Sequence, residues 1–144
     1  SSPGTRAQSM SHLDELIAAL YSHARSASDN AHSPYSGARV GASVLDEQGN
    51  IYSGCNVENA SYGLTQCAER NALAAAVHAG MKPGAAHTIL IYATGFDALA
   101  PCGACRQVIS ELMANDALII SCHGEDEYRS WSIGELLPDA FILS

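Results

Sequence analysis

Three cysteines and one carboxylate stand in an order that suits a metal centre. Cys67-Ala68-Glu69 is followed, after the 31 residues 70–100, by Pro101-Cys102-Gly103-Ala104-Cys105. A Cys-x-x-Cys pair at a helix start can grip one zinc ion, because the first thiolate lies at the turn and the second comes round within one turn. Cys67 at the start of another helix supplies a third ligand when the two helices lie side by side. Three protein ligands leave the fourth tetrahedral position for water, which is the arrangement of a catalytic rather than a structural zinc. Glu69 faces away from Cys67 on a helix, so it need not bind the metal, yet it is close enough to exchange protons with that water.

The thiolate set gives the site a net charge of −1, which something must offset. Arg70 and Arg106 are the arginines beside the ligands. Cys55 and Cys122 fall in expected strands, where a free cysteine behaves as a small hydrophobe, so both are expected in the core. None of the six histidines has a metal-binding partner spacing, and surface or core roles are expected for each.

Elements must hold these groups in place. Apolar Leu13, Leu16, Ile17, Leu20, Tyr21 and Ala24 follow helical spacing behind a Ser11 cap. Turn formers fill 29–37, a strand is expected over 39–45, and Asp46-Glu47-Gln48-Gly49-Asn50 closes a hairpin into 51–55. An alanine-rich helix over 68–79 ends at Gly80 with Pro83 beyond. Strand 88–94, helix 103–114 and strands 118–122 and 128–131 complete the pattern. Strands alternating with helices imply a sheet with helices packed on its faces.

At 144 residues and 47% hydrophobic content, the chain suits one packed domain. Residues 1–9 are polar and patternless ahead of Met10, and read as an appended tail before a natural initiator, leaving 10–144 as a single catalytic domain. Seven basic residues against 15 acidic ones give a net charge of −8, which argues against nucleic-acid polymers and anionic membranes as partners. No apolar run approaches the ~20 residues of a membrane span. Five cysteines without an apolar leader point to a reducing, cytoplasmic compartment.

The motif Cys-x-Glu followed by Pro-Cys-x-x-Cys fits the three-cysteine form of the zinc deaminase signature. Residues 54–60, Cys67-Ala68-Glu69-Arg70, 101–107 and the terminal Glu135-Leu136-Leu137-Pro138-Asp139-Ala140-Phe141 together resemble the small homotetrameric cytidine deaminases. The likeness spans nearly everything after the first helix. It implies a three-layer α/β/α fold around a mixed five-stranded sheet, with Zn²⁺ as the cofactor and no organic one. It also implies hydrolytic deamination of cytidine or deoxycytidine to uridine or deoxyuridine plus ammonia, a pyrimidine salvage reaction, in a homotetramer with shared active sites.

The same resemblance implies roles residue by residue. Glu69 becomes the proton shuttle and Cys67, Cys102 and Cys105 the zinc ligands. Arg70 and Arg106 become partners of the ligand sulfurs. Asn56 and Glu58 meet the ribose hydroxyls, and the Ala68 backbone meets the base. Tyr62 and Phe141 match aromatics near the pocket, Phe141 from a neighbouring subunit. Where the family carries a phenylalanine packed on the pyrimidine, this chain has Ala38, which implies extra room beside the base. Arg39 follows it, either solvated or facing a charged substituent. Deamination of a bulkier aminopyrimidine nucleoside, as in blasticidin-type deaminases, therefore stays open beside cytidine. So does a non-catalytic, zinc-stapled binding module, although it leaves Glu69 without a purpose.

Overall fold

The computed structural model describes residues 3–94, 99–124 and 127–143. Helix α1 (Pro3–Ser28) leads into strands β1 (Val40–Asp46) and β2 (Ile51–Cys55), helix α2 (Ala68–His78), strand β3 (Ala86–Ala93), helix α3 (Gly103–Leu112), strands β4 (Leu118–Gly124) and β5 (Glu127–Ser132), and the single-turn helix α4 (Ile133–Leu136). The sheet order is β2-β1-β3-β4-β5. β3 and β4 run parallel through the α3 crossover and the other neighbours are antiparallel, so the sheet is mixed as expected.

Side-chain alternation along the strands divides the core in two. Leu90, Ile120 and Cys122 face Ile17, Leu20 and Ala24 of α1. On the other face Ala42, Val44, Ile89, Ile91 and Ile119 meet Ala72, Leu73 and Ala76 of α2 and Ile109 of α3. Helices on both faces give the three-layer α/β/α arrangement. The shape of the helix surfaces matters here: Ala68, Ala72 and Ala76 are fully buried, and such small side chains let a helix backbone come close to the sheet.

Two strand glycines take that approach further. A Cβ on Gly41 of β1 would lie 1.7 Å from the Ala24 carbonyl oxygen of α1, and one on Gly54 of β2 would lie 2.4 Å from the Ala72 nitrogen of α2. The two helices thus press on the β1–β2 ribbon from opposite faces. The buried Ser43 hydroxyl, one strand position pair along from Gly41, donates to the Leu20 carbonyl at 2.7 Å. The β1–β2 turn is closed by Asp46, whose carboxylate accepts the Gln48 and Asn50 amides at 2.9 and 2.8 Å.

Two sequence expectations need correction, and one element is new. Helix α1 begins at Pro3 rather than Ser11, so the segment set aside as a patternless tail is helical over much of its length; a proline in the first turn lacks only an N–H that would be unpaired anyway. The Ser11 cap and Leu13 fall outside the described side chains. Cys122 is buried in the core, where burial pushes its thiol up to about 12. Cys55, however, is only half-buried, because β2 is an edge strand. Helix α4 went unforeseen, although Ser132-Ile133-Gly134-Glu135 forms a reciprocal capping box.

The glycine contacts generate a stability prediction. Gly54→Ala should cost about 1–3 kcal/mol, since overpacking here meets backbone rather than a mobile side chain, and should lower zinc content by displacing the start of α2. Gly63→Ala, where a Cβ meets nothing within 4 Å, serves as the control. Calorimetry and metal analysis of the two variants check this; equal melting temperatures would overturn it.

Candidate metal and substrate site

The metal-ligating residues sit where two helices begin. Cys67 is the N-cap of α2 and Cys102 the N-cap of α3, both with extended backbone, and their carbonyls accept the first helical bonds, from Asn71 and Arg106. Cys105 follows in the first turn of α3 and is fully buried. The Sγ atoms of Cys67, Cys102 and Cys105 all lie within 4.8 Å of one another, and those of Cys67 and Cys102 are 3.9 Å apart. Sulfurs bound at about 2.3 Å to one tetrahedral zinc stand roughly 3.8 Å apart. The donor set and its spacing therefore fit zinc.

Charge around the sulfurs is uneven. Cys67 is held down to about 5, chiefly by a hydrogen bond from the Cys105 thiol and further by Arg70, against the opposing effect of burial. Cys105 is pushed up by that same hydrogen bond to Cys67 and by burial. Arg70 Nη2 donates to Cys67 Sγ at 3.3 Å and to the Thr65 carbonyl at 3.5 Å. Arg106 behaves differently from the expectation of a sulfur contact. Its Nε donates to the Pro101 carbonyl at 2.7 Å and its Nη1 to the Leu136 carbonyl at 3.0 Å. It thereby ties the loop that carries Cys102 to the end of α4.

A cavity of about 210 Å³ opens beside the sulfurs, lined by Val40, Asn56, Thr65, Gln66, Cys67, Ala68, Glu69, Ile91, Ala93, Leu99, Ala100 and Cys102. Glu69 is 6% exposed, and burial raises its carboxyl above the ordinary range. No lysine, arginine or histidine is among the described residues that line it. The sequence reading did not foresee the walls formed by Val40, Ile91 and Ala93; their place on the α2 face of β1 and β3 was the available signal.

The other expected contacts are distributed unevenly around this cavity. Asn56 lines it, with Oδ1 accepting the Val40 amide at 2.9 Å and Nδ2 donating to the Ala38 carbonyl at 2.8 Å. Glu58 is not among the lining residues. Its carboxylate accepts the Ser36 hydroxyl and the Tyr35 and Ser36 amides, and these hydrogen bonds, Ser36's first, hold it below the usual carboxylate range. Ala38 is half-buried beside the cavity without lining it. Tyr62 is 77% exposed and meets Tyr35 edge-on at 6.2 Å. Phe141 is 70% exposed and borders a separate cavity of about 460 Å³ with residues of α3 and α4. Within one chain, then, the sulfurs, Glu69, Ala68 and Asn56 converge, whereas Glu58, Tyr62, Ala38 and Phe141 stand outside.

Arg70 is expected to hold the thiolate in place. Arg70→Gln should lower zinc affinity by about 10–100-fold, the usual effect of losing a partner of a metal ligand. Competition with a chromogenic chelator measures it, and parental affinity in the variant would remove the role.

Comparison with known proteins agrees with this geometry. Residues 14–121 match the family model described as the cytidine and deoxycytidylate deaminase zinc-binding region. The cytidine deaminase of Halalkalibacterium halodurans is 41% identical over 122 residues, covering 85% of this chain and 91% of the relative. That of Mycobacterium tuberculosis is 42% identical over 125 residues, covering 86% and 88%. The crystal structure of cytidine deaminase from Burkholderia pseudomallei superimposes with a TM-score of 0.81 at 45% identity, covering 85% of this chain and 97% of that one. With Cys67, Cys102 and Cys105 gathered at two helix starts and the match running through most of its length, the chain belongs to the cytidine and deoxycytidylate deaminase family.

Proposed function

We propose that this enzyme is a zinc-dependent cytidine deaminase that converts cytidine or deoxycytidine and water to the corresponding uridine and ammonia. The observation that carries the reading is the sulfur triangle with buried Glu69 two residues from Cys67, at the end of a cavity without cationic lining among the described residues. The chemistry supplied by bound zinc is Lewis-acid activation of a water molecule. Cys67, Cys102 and Cys105 hold the ion, and Arg70 offsets their charge. Glu69 takes the proton of the attacking water and delivers it to the ring nitrogen. It then takes the remaining proton of that oxygen, now a hydroxyl on the ring carbon, and passes it to the departing amine, which leaves as ammonia while the ring carbon becomes a carbonyl.

Substrate class follows from the lining. A phosphate would call for arginine, lysine or a cluster of amide donors, and no cation lines the cavity among the described residues. A neutral nucleoside is the better fit than a nucleoside monophosphate. Asn56 in the cavity wall and Glu58, held by Ser36 outside it, are suited by type to sugar hydroxyls, an amide and a carboxylate being the usual partners of such groups; the Ala68 backbone is the contact to the base. The reaction belongs to pyrimidine salvage in the cytoplasm, in keeping with five free cysteines and with the absence of any helix long and apolar enough to cross a membrane among the described residues.

The working unit is a homotetramer in which Phe141 completes a neighbour's pocket, with Tyr62 as a second aromatic near the pocket. Supporting this are the exposures of Phe141, Ile142 and Leu143 at 70, 82 and 84%, an apolar run that a monomer has little reason to leave in water. Light scattering at assay concentration should return the mass of four chains, and Phe141→Ala should raise KM. A fully active monomer would overturn the assembly.

The decisive test is an ammonia-release assay on cytidine, deoxycytidine and deoxycytidylate. Turnover of the two nucleosides with little of the monophosphate is expected. In parallel, Glu69→Gln should keep its zinc while kcat falls by about 10²–10⁴-fold, the range for general acid–base assistance. A Glu69→Gln enzyme with near-parental kcat would remove the shuttle.

A further inference from the structure

Arg39 lies on the surface just before β1, and two of its guanidinium nitrogens donate to main chain. Nε donates to the Ser28 carbonyl at 3.3 Å and Nη2 to the Asp29 carbonyl at 2.7 Å. Ser28 is the last residue of α1 and Asp29 the one beyond it, at the end of the helix where a cation is favoured, and the Ser28 carbonyl also accepts the Ala31 amide at 3.2 Å. The residue's own carbonyl accepts the Thr94 amide at 3.1 Å and the Thr94 hydroxyl at 3.3 Å, just beyond β3. Arg39 thus meets α1 with its side chain and the end of β3 with its backbone.

Its two neighbours in sequence are held by a single side chain. Asn56 donates to Ala38 and accepts from Val40, while its own amide donates to the Val40 carbonyl at 3.1 Å. Asn56 and Val40 both line the cavity beside the sulfurs. A carboxamide has two N–H donors and two lone pairs. These contacts use one of each, which fixes the Asn56 rotamer and leaves the second N–H and the second lone pair for a ligand.

We infer that Arg39 is a positioning residue for the substrate pocket, anchoring the 38–40 backbone to the end of α1 so that Asn56 and Val40 keep their place in the cavity wall. The inference rests on reading that cavity as the nucleoside site. It assigns Arg39 to the protein's own main chain, where the sequence had left it either solvated or facing a charged substituent.

Arg39→Met, which keeps the apolar stem and removes the donors, and Arg39→Lys, which keeps one cationic donor, test it in the zinc-loaded full chain. Arg39→Met should raise KM for cytidine by about five- to tenfold, the equivalent of roughly one net hydrogen bond, with kcat within about twofold and zinc content unchanged. Amide exchange at Val40, followed by NMR, should quicken by a similar factor while Ile89 in the central strand stays as in the parent. Arg39→Lys should restore most of both. Parental KM and parental Val40 exchange in Arg39→Met would overturn the inference, as would an equal quickening at Ile89, which would mean general destabilisation. A parent that releases no ammonia from cytidine would instead refute the proposed function, and the Val40 measurement would still decide the role of Arg39.

Discussion

One zinc ion sets a radius within which three sulfurs from two distant stretches of chain must meet, and the rest of the architecture answers to that requirement. Cys67 and Cys102 cap different helices, so α2 and α3 must start side by side on the same face of the sheet. That is possible because both helices follow strands, β2 and β3, that flank β1 and finish at the same end of the sheet. It is held because α2 is alanine-faced and rests directly on Gly54. The thiolates are thereby brought to two helix N-termini, whose unpaired amides and dipoles favour negative charge. Arg70 adds a full positive charge against Cys67 at 3.3 Å. Assembly of the site and packing of the α2 layer are the same event.

The chemistry was legible in the sequence because it is local. Cys67, Glu69, Cys102 and Cys105 announce themselves by residue type and by spacings that a helix start converts directly into geometry. The strands and helices were legible for a similar reason, since alternation and capping are short-range signals. What escaped was long-range or shaped by a neighbour. Arg106 sits beside a ligand in sequence, but its side-chain hydrogen bonds go to the main chain of Pro101 and Leu136. Glu58 is two residues from Asn56, yet on an irregular segment the two side chains part, one to the cavity and one to the turn at Ser36. Cys55 reads like Cys122 until strand order is known; only then is one at the sheet edge and the other in the core.

The irregular stretch 56–66 shows how a loop becomes part of a rigid site. Val57 pairs with Gln66 in both directions, and the amide of Glu58 bonds to His32. Asn71 of α2 donates to the Cys55 carbonyl at 2.8 Å. The segment has few apolar side chains to bury, and its order comes from backbone groups finding partners on three sides. Asn56 in the cavity wall and Cys67 in the cluster are the two ends of this mesh.

The Ser43 hydroxyl has a meaning beyond its single bond to Leu20. The surface of α1 toward the sheet is mostly apolar, from Ile17, Leu20 and Ala24 to the ring of Tyr21, and such groups can slide over one another with little loss. A hydroxyl buried among them is intolerant: if α1 slid by one residue along β1, its oxygen would be left dry and unmatched, at a cost of about 1–3 kcal/mol. Displacements that apolar contacts alone would permit are thereby made distinguishable in energy. Ser43 acts as an index mark between layers, contributing less to how firmly the helix is held than to which of several near-equivalent seats it takes.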